Sequence, residues 1–162
     1  MANWATGSIR LRGKAKDIVN FMDNGIEGVD YIGQKKPEYV TKVDYGEIEC
    51  AYEFKGSAWV RGTRRAFIDT DTLKFWNRIY IDADNCDDII SVAMPFKQAW
   101  EVSVENFVTI SKKYSVDVAI HAFEQGMEFE QDILIVGGEI KKNDKNDYED
   151  YTFECSMPFI GG

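Results

Sequence analysis

The stretch Thr6–Ile26, "TGSIRLRGKAKDIVNFMDNGI", carries two hydrophobic periods, one on each side of Gly13. Before the glycine, Ile9 and Leu11 alternate with Arg10 and Arg12, the two-residue period of a strand. After it, Ala15, Ile18, Val19 and Met22 recur at the spacing of one helical face, with Phe21 at its edge. Gly25, following Asn24, suits the end of a helix. The chain therefore opens as a strand followed by an amphipathic helix.

The same order returns further on. "DDIISVAMPF" (Asp87–Phe96) reads as a strand that Pro95 ends. "SVENFVTISKKYS" (Ser103–Ser115) reads as a second helix. Ser103 is its candidate cap; Val104, Phe107, Val108 and Ile110 or Ser111 share a side, and Lys112 and Lys113 suit the C-terminal end of the dipole. Val116, Val118, Ile120 and Ala122 then alternate, and a longer strand follows Gly126, with a bend at Gly137-Gly138. "KNDKNDYED" (Lys142–Asp150) reads as a polar turn and "YTFECSMPF" (Tyr151–Phe159) as an edge strand closed by Pro158.

The middle is less regular. Pro37 and several glycines make Gly28–Gly46 a loop. "GEIECAYEFKGSAWVRG" (Gly46–Gly62) reads as two strands hinged at Lys55-Gly56, with Ile48, Cys50, Tyr52 and Phe54 on one side. Leu73, Phe75 and Trp76 suit the start of a short helix, and Arg78–Ile81 a strand. Two rounds of strand–helix–strand–strand imply an α+β fold. The expected form is ferredoxin-like: two helices on one face of a mostly antiparallel sheet, one domain over residues 1–162, with residues 28–95 as an insertion.

Composition narrows the function classes. With 44% hydrophobic and 14% aromatic residues the chain has the material for a core. No apolar run is long enough to span a bilayer and the first residues lack a signal-peptide pattern, so the expected location is cytoplasmic, with no membrane partner. Cys50, Cys86 and Cys155 form no metal-ligand or redox spacing and are expected as free thiols. The net charge of −9 is unevenly placed: residues 1–76 sum to +1 and residues 77–162 to −10.

Three groups of residues could carry chemistry. The only histidine, His121, stands on an alternating strand, where a packed or half-exposed ring is the expected role rather than catalysis. "DADNCDD" places Asp82, Asp84, Asp87 and Asp88 together, but lacks the sixth-position glycine and the distal Glu of a calcium loop. A solvated acidic loop is expected there, and Glu128 and Glu130 extend the acidic surface. Third, "SAWVRGTRRAF" (Ser57–Phe67) sets Arg61, Arg64 and Arg65 between Trp59 and Phe67. As a regular strand it would put Arg61 and Arg65 on the Trp59 face and Arg64 behind, unless Gly62 bulges. Such a ribbon suits phosphates and stacked bases, or else it pairs with the protein's own carboxylates. No phosphate-cradling loop, catalytic set, metal site or cofactor motif is present in the sequence.

A scattered set of residues resembles a known family. Asn3 and Trp4 precede the first strand; Trp100, Lys113 and Tyr114 surround the second helix; Glu124, Gly126 and Phe129 follow it. Together they resemble a ferredoxin-like family of small proteins carried by phages and plasmids. The resemblance implies an accessory protein of a mobile element and no defined reaction. Three functions are weighed. The first is a non-enzymatic inhibitor or adaptor, acting on a host defence nuclease by imitating nucleic acid with its acidic half. The second is a nucleic-acid-binding module that uses the Trp59–Arg65 ribbon. A metal-dependent nuclease built on Asp82 and Asp84 is a third, with no spacing that requires it.

Overall fold

The architecture is built around strand β1 (Trp4–Lys14), which pairs antiparallel with β8 (Ile89–Ala99) on one side and β9 (Asp117–Glu124) on the other. The computed structural model describes residues 3–70 and 77–162. The helix expected to start at Leu73, Phe75 and Trp76 lies outside the described residues. Helix α1 (Ala15–Asn24) follows β1, and α2 (Val104–Tyr114) carries the chain from β8 across β1 to β9.

Eight strands form the main sheet, in the order β11-β10-β9-β1-β8-β6-β5-β2. The remaining members are β2 (Ile26–Gly28), β5 (Ala58–Val60), β6 (Ala66–Ile68), β10 (Phe129–Val136) and β11 (Glu139–Asp147). A second sheet has three strands: β3 (Val40–Asp44), β4 (Cys50–Phe54) and β7 (Arg78–Ile81). Every strand pairing among the described residues is antiparallel. The class is thus α+β with a mostly antiparallel sheet and few helices.

The helices form where the apolar spacing demands. Ala15, Ile18, Phe21 and Met22 are the buried face of α1; Phe107, Ile110, Ser111 and Tyr114 are that of α2. Phe21 meets Tyr114 edge-on at 5.4 Å, so both helices cover one face of the main sheet. One buried cluster unites that face (Ile9, Leu11, Val118, Ile120) with the helices and with Tyr52, Phe54 and Ile81 of the small sheet. The Tyr52 hydroxyl donates to Asp23 at 2.6 Å and ties the small sheet to α1. Burial and that bond to the Asp23 carboxylate both push the Tyr52 phenol above its ordinary range. Segment 28–95 is therefore interleaved with the same core.

Residues 28–46, expected as a loop, hold strand β3, whose mostly exposed residues show no alternation; four further local expectations are corrected. Pro95 does not end β8, which runs four residues beyond it. Its carbonyl accepts from Asp69 just past the end of β6, so the missing N–H points where that ladder has already stopped. Gly137 and Gly138, at φ 59° and 76°, form the two-residue turn of a hairpin rather than a bend. The polar run behind them is therefore strand β11, exposed at every position. Neither of its faces meets a core, so it shows no alternation, and its lysines suit a sheet edge. Residues 151–159 hold no strand: Asp150 accepts from the Phe153 N–H and starts a helical turn, α3 (Tyr151–Glu154).

The last correction concerns Lys55-Gly56. Strands β4 and β5 on either side of it belong to different sheets, so the expected hairpin is absent. Strand β5 pairs instead with β6, through a loop at residues 61–65 where Gly62 and Arg65 have φ of 83° and 53°.

Gly7 marks the closest approach in the main sheet. A Cβ there would overlap the backbone carbonyl of His121 on β9. Gly7→Ala is expected to cost about 1–3 kcal/mol or more, because the strands would have to part. Urea unfolding measures this; an unchanged midpoint would mean that β1 and β9 stand further apart than described.

Candidate functional site

Pairing register builds one row of outward side chains across seven strands. Glu27, Trp59, Phe67, Lys97, Thr6, Phe123 and Glu130 stand opposite one another in turn from β2 to β10. They alternate with the core residues of the same strands and so face away from the helices. Trp4 joins the row at its middle: its ring meets Phe67 edge-on at 6.0 Å. Two cations lie against the indole, the Arg65 guanidinium and the Lys97 ammonium, each 5.1 Å from the ring centre.

These groups line a cavity of about 750 Å³ between the sheet and the loop after β2. Tyr31, 98% exposed, and Tyr39 stand on the loop side; Lys55 adds a third cation. The volume is in the range of small-ligand sites. The one carboxylate of the lining, Asp30, and the buried Asp69 behind Lys97 and Ser57 are both occupied. Asp69, buried, bonds Lys97 and the Ser57 hydroxyl, the latter at 3.3 Å. Asp30 caps its own loop through the Ile32 and Gln34 N–H groups at 3.0 and 2.9 Å. Lys55 and Arg65 make no ion pair among the described residues. An acidic chain thus holds a locally cationic, aromatic groove.

The sequence-predicted ribbon divides. Arg61 pairs with Glu27 at 3.3 Å, where Lys35 also binds at 2.9 Å. The Lys35 bond, helped by the Arg61 charge, holds the Glu27 carboxyl below its ordinary value. Trp59 donates its indole N–H to the Thr63 carbonyl at 3.2 Å. Arg65 reaches Trp4, and Arg64 is exposed without an ion pair among the described residues. The expected sharing of one strand face by Arg61 and Arg65 is corrected: both lie in a loop, which breaks the alternation.

Two buried glutamines hold this corner. Gln98 donates to the Arg64 carbonyl at 3.0 Å and accepts from the Ser103 N–H at 3.2 Å. Gln131 accepts from the Val102 N–H at 2.7 Å. Between them Trp100 has φ 72°, which costs a non-glycine residue about 1–2 kcal/mol. Its N–H donates to the Asn3 carbonyl at 2.8 Å. The residues of the family resemblance meet here too. The Asn3 side chain packs on Gly126, and the Glu124 carboxylate accepts from Gly126 and Met127 N–H groups at 2.9 and 2.5 Å.

The acidic residues do not form one surface. Asp82–Asp88 lies at the Lys14 end of β1, where the carbonyls of Asp88 and Cys86 accept the first N–H groups of α1 at 2.8 and 3.0 Å. Asp87 pairs with Lys16 and Lys14 at 2.8 and 3.0 Å, and those bonds lower its carboxyl pKa. Asp88 accepts from the Asn85 N–H, and Asp82 and Asp84 are both exposed positions of the same loop. Glu128 and Glu130 lie at the other end of the sheet, beside Thr6: about 25 Å away, at eight residues along β1. No group of three His, Cys, Asp or Glu residues is placed to hold a metal among the described residues. No helix among them is long and apolar enough to cross a membrane. Cys50 and Cys155 are buried and Cys86 is exposed, all unpaired. Comparison of the chain with family models, curated proteins and solved structures finds no match.

Sequence reasoning reached Arg65 and Phe67 but missed Lys97, Tyr31 and Lys55 as site residues, and Asp69 as the buried partner of Lys97. Only pairing brings them together; no spacing in the chain signals it.

His121 lies beside the groove row, its Nε2 3.0 Å from Glu130 Oε2 and its ring 4.6 Å from that of Phe123. Burial acts to raise the Glu130 carboxyl, but bonds from Asn146, His121 and Tyr148 outweigh it and leave the carboxyl below its ordinary value. Its contribution to stability is then full above the ordinary carboxyl range and vanishes as pH falls through the lowered value. Glu130→Gln should therefore be less stable than the parent at neutral pH, with the two converging in acid. Urea midpoints across pH check this; a constant gap would show that the charge plays no part.

Proposed function

We propose that this protein is a non-enzymatic binding module whose ligand is single-stranded nucleic acid, held in the groove beside Trp4. One observation carries the reading: Arg65 and Lys97 flank an indole inside a cavity walled by Phe67, Tyr31 and Tyr39. Cations beside aromatic rings suit a ligand that joins phosphates to flat bases. Sheet faces that present aromatics to single strands are a recurring solution to this problem. The strand order β9-β1-β8-β6, crossed by α2, supports a ferredoxin-like core enlarged by β2, β5 and the small sheet. With the motif resemblance, we place the protein among accessory proteins of phages or plasmids acting in the host cytoplasm.

Inhibition of a host defence nuclease by acidic mimicry draws less support. It calls for a continuous acidic face, whereas Asp87 is engaged by two lysines and Glu128 and Glu130 stand at the far end of the sheet.

The protein should bind single-stranded oligonucleotides with an affinity that falls steeply with salt. Tyr31→Ala, at a fully exposed ring, should weaken binding by roughly 1–3 kcal/mol without changing stability. Arg65→Gln should reduce the slope of log affinity against log salt by about 0.7. Fluorescence anisotropy at several salt concentrations measures both. No binding at low salt to DNA or RNA strands would end this reading.

A further inference from the structure

Resting on the groove reading, we propose that Trp100 is a second stacking platform, so that the site takes a strand of at least two bases rather than a lone nucleotide. Alternation along β8 buries Val92, Met94, Phe96 and Gln98 on the helix side. Continued by one step, it would send Trp100 into that core. The positive φ at Trp100 breaks the alternation, and the residue stays 50% exposed. A large apolar side chain is thereby kept out of the core by a backbone conformation that is itself unfavourable.

The surroundings enforce that conformation. The Trp100 N–H is bound to Asn3, Gln98 grips both neighbouring loops, and Gln131 holds Val102. The same bonds fix the Trp100 backbone at the strand end next to Trp4, where the exposed indole can extend the groove. Ala99, its neighbour, pairs with Trp4 in the sheet and donates its N–H to the Arg65 carbonyl at 3.2 Å. The Arg65 backbone is thus tied to the strand end that carries both tryptophans, and its guanidinium, on the Trp4 ring, is where the phosphate linking two stacked bases would meet it. Trp4 with Phe67 serves one base and Trp100 the next.

The test compares Trp100→Ala, Trp100→Gly and the parent, each titrated with thymidine monophosphate and with a short oligothymidylate. The parent should bind the oligomer at least tenfold more tightly than the mononucleotide. Both variants should lose at least fivefold in oligomer affinity and leave mononucleotide affinity unchanged. Trp100→Gly should melt about 2–4 °C above Trp100→Ala, since glycine alone accepts the positive φ freely. Equal parent affinity for the two ligands, or oligomer binding untouched by both variants, would overturn the proposal while leaving the groove reading in place. No parent binding to either ligand would overturn both.

Discussion

The pairing of β1 with β8 over all eleven residues of each strand sets everything else in this molecule. Because side chains alternate strictly, that register sends Ile9, Leu11, Met94 and Phe96 to the helices and Trp4 and Lys97 to the other face. A slip of one residue would exchange the two sets. It would bury a lysine and drive four core side chains into water, at several kcal/mol for the apolar groups alone. The core thus holds the groove in place: the burial that fixes the register also puts Lys97 opposite Phe67 and Trp4 beside both.

Charge follows a similar economy of position. The acidic loop at Asp82–Asp88 is placed where carboxylates and carbonyls are useful to the fold, at the unsatisfied N–H groups and positive pole of α1. Its pairs with Lys14 and Lys16 are exposed and contribute little individually. On β11, Lys141, Lys142 and Lys145 pair with Glu139, Asp132 and Glu101 along an edge that would otherwise invite another strand. Acidity in the second half is thus distributed over several structural tasks. Of the cations without an ion pair among the described residues, Lys55 and Arg65 line the aromatic groove and Arg64 adjoins Arg65 in the chain, while Arg10, Lys36, Lys112 and Lys113 do not line it.

Elements whose burial is one-sided were legible in the sequence: β1, both long helices, β4, β9 and β10 show the period of a face pressed on a core. Elements without such a face were not. Strand β11 is exposed throughout and reads as a turn; β2 and β6 are three residues each, too short for a period, and β5 reads as a strand but not with its true partner. The arginine cluster was visible as composition, yet its geometry was not, because Gly62 and Arg65 turn the chain and distribute Arg61, Arg64 and Arg65 to three different surroundings. Long-range pairing alone makes neighbours of Trp4, Phe67 and Lys97, and no local pattern encodes it. Trp100 reads as an ordinary apolar residue until its backbone is seen.

On the proposed function, ligand recognition belongs to the Trp4 groove and not to the acidic loop. Chemical-shift mapping of the labelled protein, titrated with a short single-stranded oligonucleotide at low salt, tests it most directly. The Trp4 indole N–H and the amides of Tyr31, Arg65, Phe67 and Lys97 should shift with saturation while those of Asp82–Asp88 stay still. Shifts that leave the groove unmoved would contradict it.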